Sequence, residues 1–206
     1  MIRRKPYDAE IEYLESTGTQ YIDTGVIVDS SVTSAQISFA VTFRSGRDSA
    51  LFGSRDSGYG IYCFAGSAAI RTRWGGPTSV DISYRLGDVI EVNIHNGSVT
   101  VMNRATSAYL SFAVGDIFKP YPLVVAGAAV GSNVEISAGA RLFRVKIGDV
   151  RDFIPVRKGT VGYLYDRVSG QLFGNQGTGA FVLGPDVSDG ESVVRLHNYP
   201  VDENAA

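Results

Sequence analysis

Cysteine, histidine and tryptophan are scarce in this sequence of 206 residues, and each scarcity narrows the kinds of site it can form. Cys63 is the only cysteine, which excludes an internal disulfide and a zinc site built on cysteines. His95 and His197 are the only histidines, and they do not predict a triad or a zinc centre. Trp74 is the only tryptophan. We find no nucleophile elbow, phosphate-binding loop or His-Glu-x-x-His motif, and we expect no cofactor.

An excess of charge of one sign is also lacking. The chain has 19 Lys and Arg against 21 Asp and Glu, a formal net charge of −2. This balance, with no basic stripe of interleaved aromatics, predicts no nucleic-acid partner. The longest apolar run, Leu123 to Val130, is too short to span a bilayer. Residues 1–7 are basic but lead into no apolar segment, so we expect synthesis in a cytoplasm without export and no membrane insertion.

Glycine, tyrosine and phenylalanine are what the sequence has in quantity, with 24, 11 and 10 residues. This mixture is typical of short strands joined by tight turns. Strict alternation of apolar and polar residues, as from Gln36 to Phe43, predicts strands with one buried face. No sustained helical period occurs. Further predicted strands are Gln20–Thr24, Ala50–Ser54, Gly60–Phe64, Ala69–Trp74, Val80–Arg85, Ala108–Val114, Leu123–Ala126, Leu142–Ile147, Gly162–Asp166 and Phe181–Leu183.

The clearest local prediction is a β-hairpin from residue 88 to residue 103. Asn96-Gly97 supplies the two positive-φ positions of a type I′ turn. Across that two-residue loop Ile94 faces Val99, so the apolar faces of the two strands agree. The next apolar pair along the hairpin is Val92 with Val101.

These patterns together predict an all-β chain, a two-sheet antiparallel β-sandwich of the jelly-roll type. We assign residues 10–186 to one sandwich domain, residues 1–9 to an N-terminal arm and residues 187–206 to a C-terminal tail. We interpret the first few residues as a frayed arm. Two alternatives stay open for the acidic tail, because its apolar patch Val193–Leu196 suits either a frayed end or an arm packed on a neighbouring subunit.

Two segments resemble a known family. They run from Glu12 to Gly25 and from Arg151 to Gly179, and they bracket nearly the whole predicted domain. They are similar to the concanavalin A-like lectin/glucanase domains, in the laminin-G-like variant frequent in proteins of gut bacteria and their phages. The resemblance implies a concanavalin A-like sandwich. It implies no single function, because this fold hosts lectins, adhesion modules, glycosidases and virion proteins. From the residues themselves we interpret both segments as structural, with Asp166–Gly170 as a turn.

A carboxylate pattern near the N-terminus, formed by Glu10, Glu12 and Glu15, mimics the spacing of glucanase catalytic residues. It overlaps the first strand motif, and Glu12 stands where the glucanases have Asp. We interpret these groups as solvated acids on an edge strand and predict no catalytic residues and no enzyme activity.

Calcium is conceivable in a lectin-like domain, since such sites use Asp, Asn and carbonyl oxygens. Asp23, Asp56, Asp81 and Asn175 are candidate ligands, but no dense loop of such residues occurs. We therefore predict no metal site.

Sugar binding needs an aromatic platform and a few planar polar groups. The best cluster is Tyr59, Tyr62, Arg71, Arg73 and Trp74, on neighbouring predicted strands. Arg71 and Arg73 share one face, which Trp74 does not. The alternative, which we favour, puts Trp74 and one tyrosine in the core with both arginines solvated. An exposed loop expected at residues 75–77 keeps the binding hypothesis open.

Three functional hypotheses follow. The first is a non-catalytic phage virion protein, a head- or tail-associated lectin-like module that contacts other virion proteins or copies of itself, and host surface glycans. The second is a bacterial carbohydrate-binding or adhesion domain at the cell surface, which requires export. The third is a glycoside hydrolase.

Overall fold

The protein is described by a computed structural model that covers residues 5–29, 32–44, 46, 48–54, 58–65, 67–75, 79–115, 120–130, 133–135 and 138–188. Within these residues the chain forms strands, turns and loops but no helix. Since these residues form no helix, they also contain no helix that is long and apolar enough to cross a membrane. The prediction of an all-β chain is confirmed.

The first of two sheets contains eleven strands, numbered here in chain order with those of the second sheet. Its hydrogen-bonded path runs through β11 (Ala108–Ala113), β10 (Ser98–Asn103), β9 (Val89–His95), β4 (Ala35–Phe43), β15 (Gly139–Ile147), β16 (Arg151–Lys158), β17 (Val161–Asp166) and β18 (Leu172–Phe173). Three short strands branch from it: β1 (Ala9–Glu10) on β16, β2 (Leu14–Thr17) on β15, and β19 (Val182–Leu183) on β2.

The second sheet contains eight strands. Its path runs through β14 (Asn133–Glu135), β13 (Ala128–Val130), β5 (Ser49–Ser54), β6 (Tyr59–Cys63), β7 (Ala69–Trp74) and β8 (Ser79–Ser83), and β12 (Tyr121–Val125) pairs with β5 and with β3 (Ile22–Val28). The described pairings are antiparallel except the contact of β13 with β5, which joins Ala129 to Ser54 in parallel.

One continuous core lies between the two sheets. It includes Phe39, Ile90 and Phe153 from the first sheet and Phe52 and Trp74 from the second, each at most 2% exposed. Burying a large apolar side chain contributes about 1.5–3 kcal/mol, so the inward residues of alternating strands hold the sheets face to face. The predicted β-sandwich is confirmed.

The hairpin forms as predicted. Ile94 pairs with Val99 across β9 and β10, and Asn96 and Gly97 have φ values of 49° and 75°. These angles are those a type I′ turn requires. The register of this hairpin follows from local sequence alone.

Strand β16 was not among the predicted strands, and its burial explains why. Residues 153–156 are all buried, so the strand shows no alternation. Phe153 faces the main core, whereas Ile154 and Val156 pack with Tyr7 in a second, smaller cluster on the outer face of the first sheet. A strand covered on both faces resembles a continuous apolar run in sequence.

Both ends of the described chain are tied to the first sheet. The N–H of Asp8 donates to the carbonyl of Arg157 at 2.9 Å, and the N–H of Val187 donates to the carbonyl of Glu10 at 2.9 Å. Residues 1–4 of the predicted arm and residues 189–206 of the predicted tail lie outside the described residues.

Candidate functional site

Tyr59 and Trp74 belong to the core, which corrects their place in the predicted sugar-binding cluster and confirms the favoured alternative of Trp74 and one tyrosine in the core. They are cross-strand partners on β6 and β7 and are 0% and 2% exposed. Their rings lie 5.2 Å apart, and Trp74 stacks on Phe52 at 6.5 Å. The Tyr59 hydroxyl donates to the carbonyl of Tyr121 at 2.7 Å. Neither ring is available to a sugar, because both point between the sheets.

The other three predicted residues share the outer face of the second sheet. Tyr62 is the cross-strand partner of Arg71, and Arg73 is the partner of Gly60. All three side chains are partly exposed. Strand alternation brings them together and separates them from Trp74, as the period of two requires.

Gly60 orients Tyr62, and sequence reasoning missed it. A Cβ at Gly60 would lie 2.4 Å from the Tyr62 hydroxyl oxygen, so the phenol group occupies the space that a side chain would fill. The hydroxyl donates to the carbonyl of Tyr59 at 3.2 Å. The available signal was a glycine inside a strand, between two tyrosines, which often marks a close approach of another group.

These side chains line a pocket of about 180 Å³. Its floor is formed by Ser49 and Ala50, which are 4% and 3% exposed. Phe64, Asp48 and Glu135 complete the lining. Glu135 comes from β14, far from β6 and β7 in sequence, so no local pattern indicated it. The volume is below the range of about 300–1,000 Å³ typical of drug-sized ligands, so the pocket suits one small unit.

Ion pairing fixes the guanidinium of Arg71. Its Nε and Nη2 donate to the two carboxylate oxygens of Asp81, both at 2.7 Å, and the group lies 4.5 Å from the Phe64 ring centroid. The hydrogen bond from Arg71 holds the pKa of Asp81 below its usual range. Both side chains are more than 40% exposed, so the pair contributes little stability. Its effect is to orient a planar cation at the pocket wall.

Two of the carboxylates with glucanase-like spacing, Glu10 and Glu15, form ion pairs, and Glu15 lies on β2 between two other strands, which corrects their interpretation as solvated acids on an edge strand. Glu10 accepts from the Lys5 ammonium at 2.9 Å and the Tyr7 hydroxyl at 2.8 Å. Burial acts to raise the pKa of Glu10, but these two hydrogen bonds outweigh it and leave the pKa below the usual value. Glu15 accepts from Arg141 at 2.8 Å.

The candidate calcium ligands have separate roles. Asp81 pairs with Arg71, and the Asn175 carbonyl oxygen accepts from the N–H groups of Tyr21 and Gly177 at 3.2 and 2.8 Å. Asp23 lines a second pocket together with Tyr21, Phe173 and Gln176. Asp56 and His197 lie outside the described residues, as do residues 76 and 77 of the expected loop. Within the described ranges no group of three or more His, Cys, Asp or Glu side chains could hold a metal ion.

No protein-family model matches the chain, and no curated protein sequence matches it. Among solved structures, it is similar to a crystal structure of Scytalido-glutamic peptidase with a peptide-based transition-state analogue, at 15% sequence identity and a TM-score of 0.36. The match covers 87% of this chain and 93% of that chain. At this identity and TM-score the likeness carries no argument about activity.

Proposed function

We propose that this chain is a non-catalytic, concanavalin A-like virion module of a phage, and that the pocket around Tyr62, Arg71 and Arg73 binds a glycan of the host surface. The observation that carries the binding role is the placement of Tyr62 over Gly60, beside two guanidinium groups and above a buried floor. Sugar rings pack their C–H faces on aromatic rings, and their hydroxyls pair with planar polar groups. The guanidinium groups can donate to sugar hydroxyls, and the carboxylates of Asp48 and Glu135 in the same lining can accept from them.

The non-catalytic part of the proposal draws on Glu10 and Glu15. A glycosidase acid needs a raised pKa, whereas the pKa of Glu10 is lowered by Lys5 and Tyr7. Glu15 is paired with Arg141, with side chains 18% and 14% exposed. In this interpretation, both carboxylates form ion pairs that stabilise the structure.

The virion part rests on the family resemblance of the two terminal segments. Co-sedimentation tests it: we expect antibody raised against the chain to detect it in phage particles purified on a density gradient from a host lysate. Recovery of the chain only with host cell envelopes would contradict the virion assignment and favour the bacterial adhesion alternative.

A glycan array of bacterial surface polysaccharides, probed with the fluorescently labelled full chain, tests the binding role. We expect saturable binding to at least one glycan that falls about tenfold or more in Tyr62→Ala and in Arg73→Ala. Arg85→Ala is the matched control, because Arg85 is an exposed arginine that does not line the pocket. The binding role is wrong if no glycan binds, or if binding survives both pocket substitutions unchanged.

A further inference from the structure

Strand β11 ends the first sheet and, among the described strands, pairs with β10 alone. Its six residues, Ala108–Ala113, include no charged side chain and no proline, and its register with β10 continues without a bulge. Tyr109, Ser111 and Ala113 are exposed, Tyr109 by 54%, and we call these three the edge residues. An uncharged and regular strand at the end of a sheet can accept a further strand.

The other strands that end a sheet in the described part of the chain are protected against such pairing. β8 carries Asp81, and β3 carries Asp23 and changes register against β12. β14 has three residues and ends in Glu135, and β1, β18 and β19 have two residues each. Charge, irregular register and shortness are the usual means by which proteins prevent edge-to-edge association. Because β11 has none of these, its edge is open to a partner.

Hydrogen bonds at the end of β11 show which of its backbone groups point away from β10. The N–H of Val114 donates to the carbonyl of Gly97 at 2.8 Å, which continues the pairing with β10. The N–H of the next residue, Gly115, donates instead to the carbonyl of Trp74 on β7, at 2.9 Å. The direction of the backbone N–H and C=O alternates from residue to residue along a strand. The edge residues are in phase with Gly115, so their N–H and C=O groups point outward.

We propose that β11 binds the same strand of a second copy of this chain, antiparallel and about a two-fold axis at Ser111. In this register Ser111 lies opposite Ser111, and Tyr109 lies opposite Ala113 of the second copy. Each edge residue then donates its N–H and accepts at its C=O across the axis. This register satisfies every outward backbone group between Tyr109 and Ala113, and the contact of Gly115 with Trp74 marks its end.

The side chains of β11 are complementary to themselves in this register, which identifies the partner as a second copy. The large ring of Tyr109 lies beside the small side chain of Ala113. Leu110 lies opposite Phe112 of the second copy, and both residues are partly exposed where they pack against the main core. Pairing therefore covers apolar surface that continues the core. The two-fold axis brings no like charges together, because the strand carries none.

Self-association through β11 is weak in this arrangement. Only one short strand of each copy pairs, whereas stable interfaces bury about 1,200–2,000 Å². We expect a dissociation constant of about 10–100 µM. No residue of β11 is among the described residues that line the pocket around Tyr62, Arg71 and Arg73. The inference thus goes beyond the proposed function, and self-association and glycan binding can each fail without the other.

Sedimentation velocity of the full chain between about 1 µM and 500 µM tests the pairing. We expect the weight-average sedimentation coefficient to rise from that of a monomer towards that of a dimer over this range. A chain that sediments as a monomer at every concentration overturns the proposal. An oligomer that charged substitutions at Ser111 leave unchanged overturns it as well, because such an oligomer uses another surface.

Charge at Ser111 tests the two-fold register. Ser111→Lys and Ser111→Glu each place like charges opposite one another across the axis, and we expect each variant alone to self-associate about tenfold more weakly. An equimolar mixture of the two variants places opposite charges there, so we expect it to form dimers at least as tightly as wild type. Loss of association in both variants that mixing does not restore would exclude the two-fold pairing.

Thr160 provides the matched control, because it is an exposed hydroxyl residue in the turn between β16 and β17, at the other end of the sheet. We expect Thr160→Lys and Thr160→Glu to self-associate as wild type does. The Ser111 side chain is exposed, so the thermal midpoints of its variants should match those of the Thr160 variants. Equal weakening by the substitutions at Thr160 would show a general effect of charge and overturn the proposal.

Discussion

Asp166, at the end of β17, is a carboxylate with no exposed surface. Its oxygens accept from the N–H groups of Asp152, Val168 and Ser169 at 2.8, 3.1 and 3.2 Å. Burial acts to raise the pKa of Asp166, but the hydrogen bonds from Ser169, Asp152 and Val168 outweigh it and hold the pKa below its usual value. Asp166 therefore folds as a charged group that accepts hydrogen bonds from the turn that follows it and from Asp152 on the neighbouring strand β16.

This lowered pKa sets a pH dependence of stability. The unfolded chain has an ordinary aspartate pKa of about 3.9, so Asp166 stabilises the fold fully above that pH and loses its contribution as pH falls through the folded value. We expect Asp166→Asn to lower the free energy of unfolding by about 2 kcal/mol at neutral pH. The difference in unfolding free energy between wild type and variant should narrow in urea unfolding as pH falls from about 4 through the lowered folded pKa. A difference that stays constant over this range would contradict the charged role.

At the scale of elements, a turn and a crossing of two segments each require a glycine, for different physical reasons. Gly97 has a φ of 75° in the hairpin turn, and a Cβ there would meet nothing within 4 Å. Gly177 lies where the C-terminal segment crosses the start of β3, and a Cβ there would lie 2.1 Å from the carbonyl oxygen of Thr19. The first glycine is needed for conformation and the second for close approach.

Alanine substitutions separate these two reasons. We expect Gly97→Ala to lower the free energy of unfolding by about 1 kcal/mol, because only the conformational penalty of a positive φ applies there. Gly177→Ala should cost about 3 kcal/mol, because backbone must move to admit the methyl group. Urea unfolding followed by the fluorescence of Trp74 measures both. Equal costs for the two variants would show that the terminal segments are not packed this closely.

For the whole molecule, the last described residues close the sandwich. Phe181 is 7% exposed in the main core, and Leu183 packs beside it over Gly162. Arg157 donates to both carboxylate oxygens of Asp186 at 2.6 and 2.5 Å, which ties this segment to β16. The end of the domain is thus a core element, although it carries only the two-residue strand β19.

Truncation measures this contribution. A chain ending at Ala180 loses the buried Phe181 and Leu183, and we expect its free energy of unfolding to fall by about 3–5 kcal/mol relative to a chain ending at Ser188. The chain ending at Ser188 is the control, since it keeps every described contact of this segment. Matching urea midpoints for the two chains would show that the closing segment adds nothing to the core.

The predicted site shows which features of a binding site can be predicted from alternation along a strand. Alternation correctly placed Arg71 and Arg73 on one face and Trp74 on the other, since the period of two is a property of the strand itself. It did not reveal that Tyr62 lies over Gly60, because that depends on side-chain packing. Glu135 was missed altogether, since β14 is joined to β6 only through the sheet.

The sequence by itself determined the sandwich class, most strands and the register of the hairpin at Asn96 and Gly97, because alternation and turn conformation are local. Only the tertiary structure decided that Tyr59, and not Tyr62, joins Trp74 in the core and that β16 is buried on both faces. It also decided that the terminal segments, which local pattern indicated to be structural, meet at Tyr21 and Gln176 to form a pocket wall. Such convergence depends on residues distant in sequence, whose proximity is set by packing the sheets rather than by any spacing along the chain.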